Sequence, residues 1–501
     1  METSTNMQLA TAAASCLIQH GVREVVICAG ARNTPLILTF LQTPGLHVWH
    51  HFEERSAGFF AIGRMQAGAG PVAVVTTSGT AVAELLPAVI ESYYQGMPLF
   101  VCSADRPKRF RGSAAPQCID QNHLFADYAE RGGDVAVGEV WSGMPGWSRR
   151  RPLHLNLCFD EPLIDGPVGM PAVDVDGGLP EGLPAPVWRG FGCGPGERLL
   201  VVVGRLRKDE RQPVARFLRG LGKEAWLEAE SGLWGEEGVA EWRGDSLAGF
   251  SHVLRLGGVP CAGWWRELET MDAIRVLSWS GEGFSGLGRG RGVEAEAVDL
   301  ARLELSGSDA GQVGDGGGVD SEVAEPADPE ERVVWWMSRA VAKGASVFLG
   351  NSMPVRHWQK VGLRVAGREM VANRGANGID GEVSSFLGMA VTACGEGREA
   401  WGLLGDLTVL YDCAAPYMTA QMPVGKVRLV VLNNGGGAIF TGLPFFLDLP
   451  EKARQCVRNQ HAASFKHWAG MWGWEYRVIS SPADFEDLPE GPVLLEWREG
   501  E

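Results

Sequence analysis

The sequence predicts an α/β protein in three units, the outer two built on mostly parallel sheets covered by helices. Two observations carry this reading. Short apolar runs of strand length alternate with segments of helical spacing over residues 1–185 and again over 326–501, the pattern of parallel strands joined by crossover helices. Polar residues gather just after those runs, on the edge where open parallel sheets bind ligands. Residues 186–325 show weaker periodicity, so the expected units are 1–185, 186–325 and 326–501. With 501 residues, 45% of them apolar, the chain can fill several cores.

In order, LATAAASCLIQHG reads as an amphipathic helix ended by Gly21, and REVVICAG as a short buried strand. HVWHHF, PVAVVTTSG, GMPLFVCSADRP and PLHLNLCFDEP continue the strand series. The polar groups that follow them are Ala31-Arg32-Asn33, Glu53-Glu54, Thr76 to Thr80 and Asp105-Arg106. The middle unit opens on a proline- and glycine-rich bridge and one clear strand, ERLLVVVGRL. Its VGRLRKDERQ lacks the GxxxxGK spacing of a phosphate loop, and SGSDAGQVGDGGGVD, 306–320, reads as a flexible segment. From 326 the helix-like ERVVWWMSRAVAKG precedes ASVFLGNS, REMVANRGANGIDG, AWGLLGDL, KVRLVVLNNGGG and GPVLLEW.

Composition excludes several function classes. A formal charge of −16 argues against a nucleic-acid surface, which needs a basic patch. No window approaches the run of apolar residues a membrane span requires. METSTNMQLATAAA has no basic segment leading into a long apolar one, so the expected location is the cytoplasm. Ten cysteines are scattered without a CxxC pair, which signals neither a zinc knuckle nor an iron–sulfur site. Most read as buried free thiols.

The chemistry concentrates in WGLLGDLTVLYD, 401–412, and VRLVVLNNGGGAIF, 427–440. An acid directly after a buried strand is costly unless something compensates it. An isolated Gly-Asp pair reads as a helix N-cap or a solvent-facing turn. Here, however, Asp406 is followed by Asn433-Asn434 after the next strand, and neighbouring strand ends in a parallel sheet can converge. A carboxylate, an amide oxygen and a carbonyl from the glycine-rich turn make three hard ligands for Mg²⁺, and the local amides favour an anion such as a diphosphate. A nicotinamide site would need GxGxxG, and a hydrolase elbow GxSxG; CAGARN, NNGGGAIF and TTSGTA supply neither.

GDL, the gap after it and NNGGG strongly resemble the diphosphate-binding motif of thiamine-diphosphate enzymes. Within that superfamily the chain is similar to the 2-succinyl-5-enolpyruvyl-6-hydroxy-3-cyclohexene-1-carboxylate synthases of menaquinone biosynthesis. The segments that carry the resemblance are CAGARNTPL, HHFEERSAGFFAIG, VTTSGTAVAELLPAVIES, SADRP, FLGNSMPVR, NRGANGIDG, GDLTVLYD and NNGGGAIF. They cover both outer units in the same order; the middle unit resembles the family weakly. The resemblance implies a three-domain thiamine-diphosphate enzyme fold, with a pyrimidine-binding domain at 1–185, a central domain at 186–325 and a diphosphate-binding domain at 326–501. It also implies a homodimer with cofactor at the subunit interface, or a dimer of dimers.

The same resemblance assigns roles. Glu54 matches the glutamate that hydrogen-bonds the aminopyrimidine ring. Asp406, Asn434 and the carbonyl of Gly436 match the Mg²⁺ ligands, with Mn²⁺ as the alternative ion and Asn433 as the alternative to Asn434. Ile379 matches the apolar prop under the bent cofactor; Leu407 and Ile439 complete the cofactor contacts. The implied substrates, 2-oxoglutarate and isochorismate, each carry two carboxylates, which suit the planar fork of arginine. Arg32, Arg106, Arg356 and Arg374 match substrate-binding arginines, joined by Gln117, Asn351 and Ser352. Three features depart from the pattern. Ala31 replaces a common serine, Ala438 a glycine or polar residue, and the central unit offers Arg289 where relatives carry a basic pair. The alternatives are another thiamine-diphosphate-dependent 2-oxoacid decarboxylase or carboligase, and a noncatalytic scaffold.

Overall fold

The computed structural model describes residues 4–141, 143–144, 146–171, 182–194, 196–306 and 323–500. It is an α/β structure with three principal parallel sheets. Apart from Ser306, the run 306–320 lies outside the described residues.

The first sheet contains β1 (Glu24–Cys28), β2 (His47–His51), β3 (Val72–Thr76), β4 (Leu99–Asp105), β5 (Glu130–Ala136) and β6 (Leu153–Cys158), in the order β2-β1-β3-β4-β6-β5. Every neighbouring pair is parallel. Around it run α1 (Asn6–Gln19), α2 (Thr34–Leu41), α3 (Glu54–Gln66), α4 (Thr80–Ala83) and α5 (Leu86–Gln95). Helix α1 starts on a capping box at Thr5, and α3 starts on Glu53, whose carboxylate accepts from the amides of Arg55 and Ser56.

A short pair, β7 (Val187–Trp188) with β13 (Glu304–Leu305), flanks the middle sheet. That sheet runs β12-β11-β10-β8-β9, from β8 (Leu199–Val203), β9 (Ala225–Leu227), β10 (His252–Leu256), β11 (Arg275–Ser280) and β12 (Glu294–Ala297), with α6 (Lys208–Leu221) following β8.

The third sheet contains β14 (Ser346–Leu349), β15 (Glu369–Val371), β16 (Ala400–Gly405), β17 (Val427–Asn433), β18 (Glu475–Val478) and β19 (Val493–Arg498). Its order, β15-β14-β16-β17-β19-β18, repeats that of the first sheet strand for strand. In such an order the chain leaves the first strand to one side and returns on the other, which opens a crevice between the carboxyl ends of β14 and β16. Helices α7 (Pro329–Ala340), α8 (Met353–Val361), α9 (Glu382–Gly395) and α10 (Asp406–Tyr411) are placed around that edge.

In the middle unit sequence reading found only β8, and elsewhere it missed β5 and β18; of the missed strands, β5, β12 and β18 are short of apolar residues. All three lie at sheet edges, where one side has no neighbour and charge and glycine are tolerated.

The outer sheets meet through α3 and α9, each buried along nearly its whole length. The helices approach closely enough that a Cβ on Gly63 would overlap the Ser385 carbonyl, and one on Gly388 the Phe60 carbonyl. Ser385 Oγ donates to the Phe59 carbonyl at 2.9 Å, and Arg64 donates to Thr392 Oγ1 at 2.7 Å. One apolar cluster runs through this contact, and another joins the middle sheet to the third. Backbone, unlike a side chain, cannot swing aside. Gly388→Ala is therefore expected to lower unfolding free energy by about 1–3 kcal/mol, read from urea midpoints; an unchanged midpoint would mean that the two helices separate freely.

Candidate active site

The crevice at the carboxyl ends of β14, β16 and β17 widens into a cavity of about 1110 Å³. On its wall lie ten of the fourteen expected site residues: Asn351, Ser352, Arg356, Arg374, Ile379, Asp406, Leu407, Asn434, Gly436 and Ile439. Glu54, Arg32, Arg106 and Gln117 do not line it, and from the first unit it reaches only Tyr94 among the described residues.

Asp406 opens α10 directly after β16 and is buried. Its carboxylate accepts from the Leu407 amide at 2.6 Å and the Gly436 amide at 2.9 Å, and His461 Nε2 lies 3.2 Å away. Burial raises its pKa, while those amides and the imidazole pull the other way. Asn434 stands opposite, its Nδ2 bonded to Glu330 and its buried Oδ1 without a protein partner. The turn between them needs glycine: Gly435 and Gly436 have φ of +74° and +143°, and a Cβ on Gly436 would press on the Arg458 carbonyl. A carboxylate, an orphaned amide oxygen and a glycine carbonyl on one wall suit a hard divalent cation. Asn433 is committed elsewhere: its amide donates to the Ala463 carbonyl and Glu496, and its oxygen accepts from Gly435.

Another donor group exists. Cys193, Glu197 and His252 offer ligand atoms within 4.8 Å of one another in the middle unit. None lines the cavity, and sulfur and imidazole suit zinc better than magnesium. It is not the place for a diphosphate-bound Mg²⁺.

Ser352 holds φ 69°, ψ −123° at the N-cap of α8. A non-glycine residue is strained there, by about 1–3 kcal/mol, and the strain sets Asn351, Ser352 and Arg356 around the same mouth. Asn351 is fixed by its amide to the carbonyls of Asn373 and Gly378, and its oxygen accepts from Arg374 at 3.0 Å. Arg356 bonds the Ser352 carbonyl, and its pKa is lowered by burial and by the nearby Arg374.

Sequence reasoning looked to Arg289 for the middle unit's basic contribution. The side chain of Arg289 lies outside the described residues, and Arg205, Arg255 and Arg266 line the wall. The signal was present in RLGGVPCAGWWR, 255–266: arginines bracketing an apolar, glycine-containing turn. Arg205 pairs with Glu282 at 2.9 Å, and Arg255 bonds the carbonyls of Gly257 and Phe284. Arg266 is exposed to the cavity and has no carboxylate partner among the described residues.

The first-unit residues occupy their own sheet edge. Glu54 follows β2 as the first residue of α3, half-buried, and among the described residues no other side chain bonds its carboxylate; Glu53 performs the capping instead. Burial, with Glu53 and Glu84 nearby, raises the pKa of Glu54. Arg32 is buried after β1, bonded to the Phe159 carbonyl and paired with Glu161 at 3.1 Å. Arg106 follows β4 with its Nε buried and unpartnered, and Gln117 is exposed at φ 55°.

Residues 7–124 match the family of the N-terminal TPP-binding domain of thiamine pyrophosphate enzymes. Over nearly its full length the chain is similar to curated 2-succinyl-5-enolpyruvyl-6-hydroxy-3-cyclohexene-1-carboxylate synthases. It is 37% identical to that of Bdellovibrio bacteriovorus, over 97% of this chain and 94% of the relative. It is 39% identical to that of Akkermansia muciniphila, over 93% and 91%. An X-ray structure described as a thiamin diphosphate-dependent enzyme from Mycobacterium smegmatis superposes with a TM-score of 0.69 over 99% of both chains; at 15% identity that likeness concerns the fold alone. Among the described residues no helix is long and apolar enough to cross a membrane.

Behind Arg374 lie two acids of the middle unit that sequence reasoning missed. Glu228 accepts from the Cys261 amide at 2.8 Å; Glu230, 1% exposed, has neither oxygen hydrogen-bonded, and Arg374 Nε lies 4.0 Å away. Burial, then the repulsion of Glu228, pushes Glu230 up to about 8. The folded chain therefore keeps a proton that the unfolded chain releases near an ordinary carboxylate pKa of about 4.3. The stability from this group is complete below that value and is lost as pH rises toward 8, by at most about 1.4 kcal/mol per unit. Glu230→Gln cannot ionise. Across pH 5–8 its unfolding free energy should gain steadily on that of the parent, and a pH-independent difference would show Glu230 ionised throughout.

Proposed function

The chain belongs to the family of 2-succinyl-5-enolpyruvyl-6-hydroxy-3-cyclohexene-1-carboxylate synthases, and from that membership we propose its reaction. With thiamine diphosphate and Mg²⁺ or Mn²⁺, it decarboxylates 2-oxoglutarate and adds the remaining succinyl unit to the conjugated double bond of isochorismate. The products are CO₂ and 2-succinyl-5-enolpyruvyl-6-hydroxy-3-cyclohexene-1-carboxylate, within menaquinone biosynthesis. The observation that carries the reading is the single cavity in which Asp406, Asn434 and Gly436 face Arg356, Arg374 and Arg266.

Thiamine diphosphate, when bound, supplies the nucleophilic carbon and the electron sink for decarboxylation. Asp406, Asn434 Oδ1 and the Gly436 carbonyl would hold the divalent ion, and the ion the diphosphate. Ile379, Leu407 and Ile439 give the apolar wall that shapes the cofactor. Arg356 and Arg374 take the carboxylates of 2-oxoglutarate, with Asn351 and Ser352 closing the mouth. Arg32, Arg106 and Gln117 receive isochorismate at the edge of the first sheet. Glu54, left free by Glu53 and with its pKa raised by partial burial, would hydrogen-bond the aminopyrimidine ring. The pyrimidine-binding, central and diphosphate-binding domains we assign are 1–185, 186–325 and 326–501.

The separation of Glu54 from the cavity of its own chain supports a two-chain site. Glu54, Arg32, Arg106 and Gln117 of one subunit would complete the Asp406 cavity of another, in a dimer or a dimer of dimers.

Purified protein supplied with the cofactor, Mg²⁺ and both substrates should release CO₂ and the adduct, identified by mass spectrometry. Release of an aldehyde from 2-oxoglutarate with no adduct would mark a plain decarboxylase, and no turnover at all would leave a scaffold.

Subunit mixing tests the shared site. Glu54→Gln and Asp406→Ala homodimers should each lose at least about 99% of activity, equivalent to about 2.7 kcal/mol or more of transition-state stabilisation. Refolded together in equal amounts they should regain about a quarter of parental activity, because half the dimers are mixed and each mixed dimer has one intact site. No recovery would place the complete site within one chain.

A further inference from the structure

We propose that Glu330 is a positioning residue that fixes the amide of Asn434 with its oxygen turned to the metal. The inference rests on the cofactor reading above and adds a residue that reading did not include. The two ends of an asparagine amide have the same shape, and only their bonding tells them apart. Asn434 Nδ2 donates to Glu330 Oε1 at 2.8 Å. An ionised carboxylate can only accept, so the nitrogen must be the end that faces Glu330. Oδ1 is thereby left on the other side, buried and without a protein partner. Were the amide reversed, an N–H dipole would face the cation.

Glu330 is itself held. It lies in the first turn of α7, and its Oε2 is 3.1 Å from Nε2 of the buried His357 on α8. The carboxylate is thus fixed on one side by α8 and spends its other oxygen on Asn434. It also lines the cavity, where a further negative charge opposes binding of a diphosphate. An acid in that position weakens anion binding unless it does something else, and ordering a metal ligand is such a task. Mg²⁺ and Mn²⁺ tolerate little error in ligand placement, and partners that orient metal ligands typically contribute 10–100-fold in affinity.

The test measures metal binding directly, by following free Mn²⁺ with electron paramagnetic resonance in the presence of thiamine diphosphate. Glu330→Ala should weaken Mn²⁺ by about 10–100-fold. Glu330→Gln keeps an acceptor but can also offer its amide to Oδ1, so it should fall between parent and Glu330→Ala. In an Asn434→Asp background both ends of residue 434 are oxygens and need no orienting. There, removing the Glu330 carboxylate should leave Mn²⁺ affinity unchanged or raise it. Equal loss in both backgrounds, or no loss with Asn434 present, would overturn the inference and leave the cofactor reading standing. A parent protein that binds no Mn²⁺ with thiamine diphosphate would overturn the cofactor reading, and this inference with it.

Discussion

The structure hinges on the contact between α3 and α9, fastened by one buried carboxylate. Asp412, fully buried at the end of α10, accepts from Ser56 Oγ of α3 at 2.9 Å and from the amide and hydroxyl of Ser384 on α9 at 2.7 and 3.1 Å. Three bonds satisfy a charge that would otherwise be expensive to bury. Because α10 begins with Asp406 and α3 begins with Glu54, the same knot ties the far end of the Asp406 helix to the start of the Glu54 helix. Each sheet is then held with its active edge committed. The cavity at Asp406 is walled by the middle unit, while Glu54 stays outside it. A tighter fit between these helices or a looser one would move both ends together.

That coupling marks where sequence reading stops. VVVGRL and VRLVVL, which read clearly, sit inside their sheets, where both neighbours are protein and apolar residues dominate. The edge strands β5, β12 and β18 carried no such pattern. Asp406, Asn434 and Gly436 were legible because a strand end and a glycine turn are local features. Asp412 was visible only as a second acid after Asp406, since its partners lie 356 and 28 residues away. The same distance hid Glu91, which accepts from the amides of Gly375 and Ala376, both at 2.7 Å, and so shapes the loop beside Arg374. Glu230 was hidden for a different reason. LEAES carries no motif and lies in the unit of weak periodicity, and only tertiary packing makes it the back wall of an arginine.

The electrostatics of the cavity show why such acids are useful. The chain carries a formal charge of −16, yet its proposed ligands are anions. Charges farther apart than about 10 Å are largely screened at ordinary salt, so the local balance of the wall governs attraction. At one end Arg205 is matched by Glu282, and Arg255 spends its donors on carbonyls. At the other, Arg356 and Arg266 face the cavity without a carboxylate. Arg374 lines the same wall, and for it burial opposes the charge while the neighbouring acids, Glu228 first, leave its pKa raised. Two fully ionised acids would do more than hold one guanidinium; they would turn that stretch of wall negative. With Glu230 pushed up to about 8 by burial and by Glu228, the pair carries less negative charge near neutral pH than two ordinary carboxylates would. Arg374 is then kept in place by an acid pair that opposes the positive sign of Arg356 and Arg266 less than two ionised acids would, and the mouth of the cavity stays attractive to carboxylates inside an acidic protein.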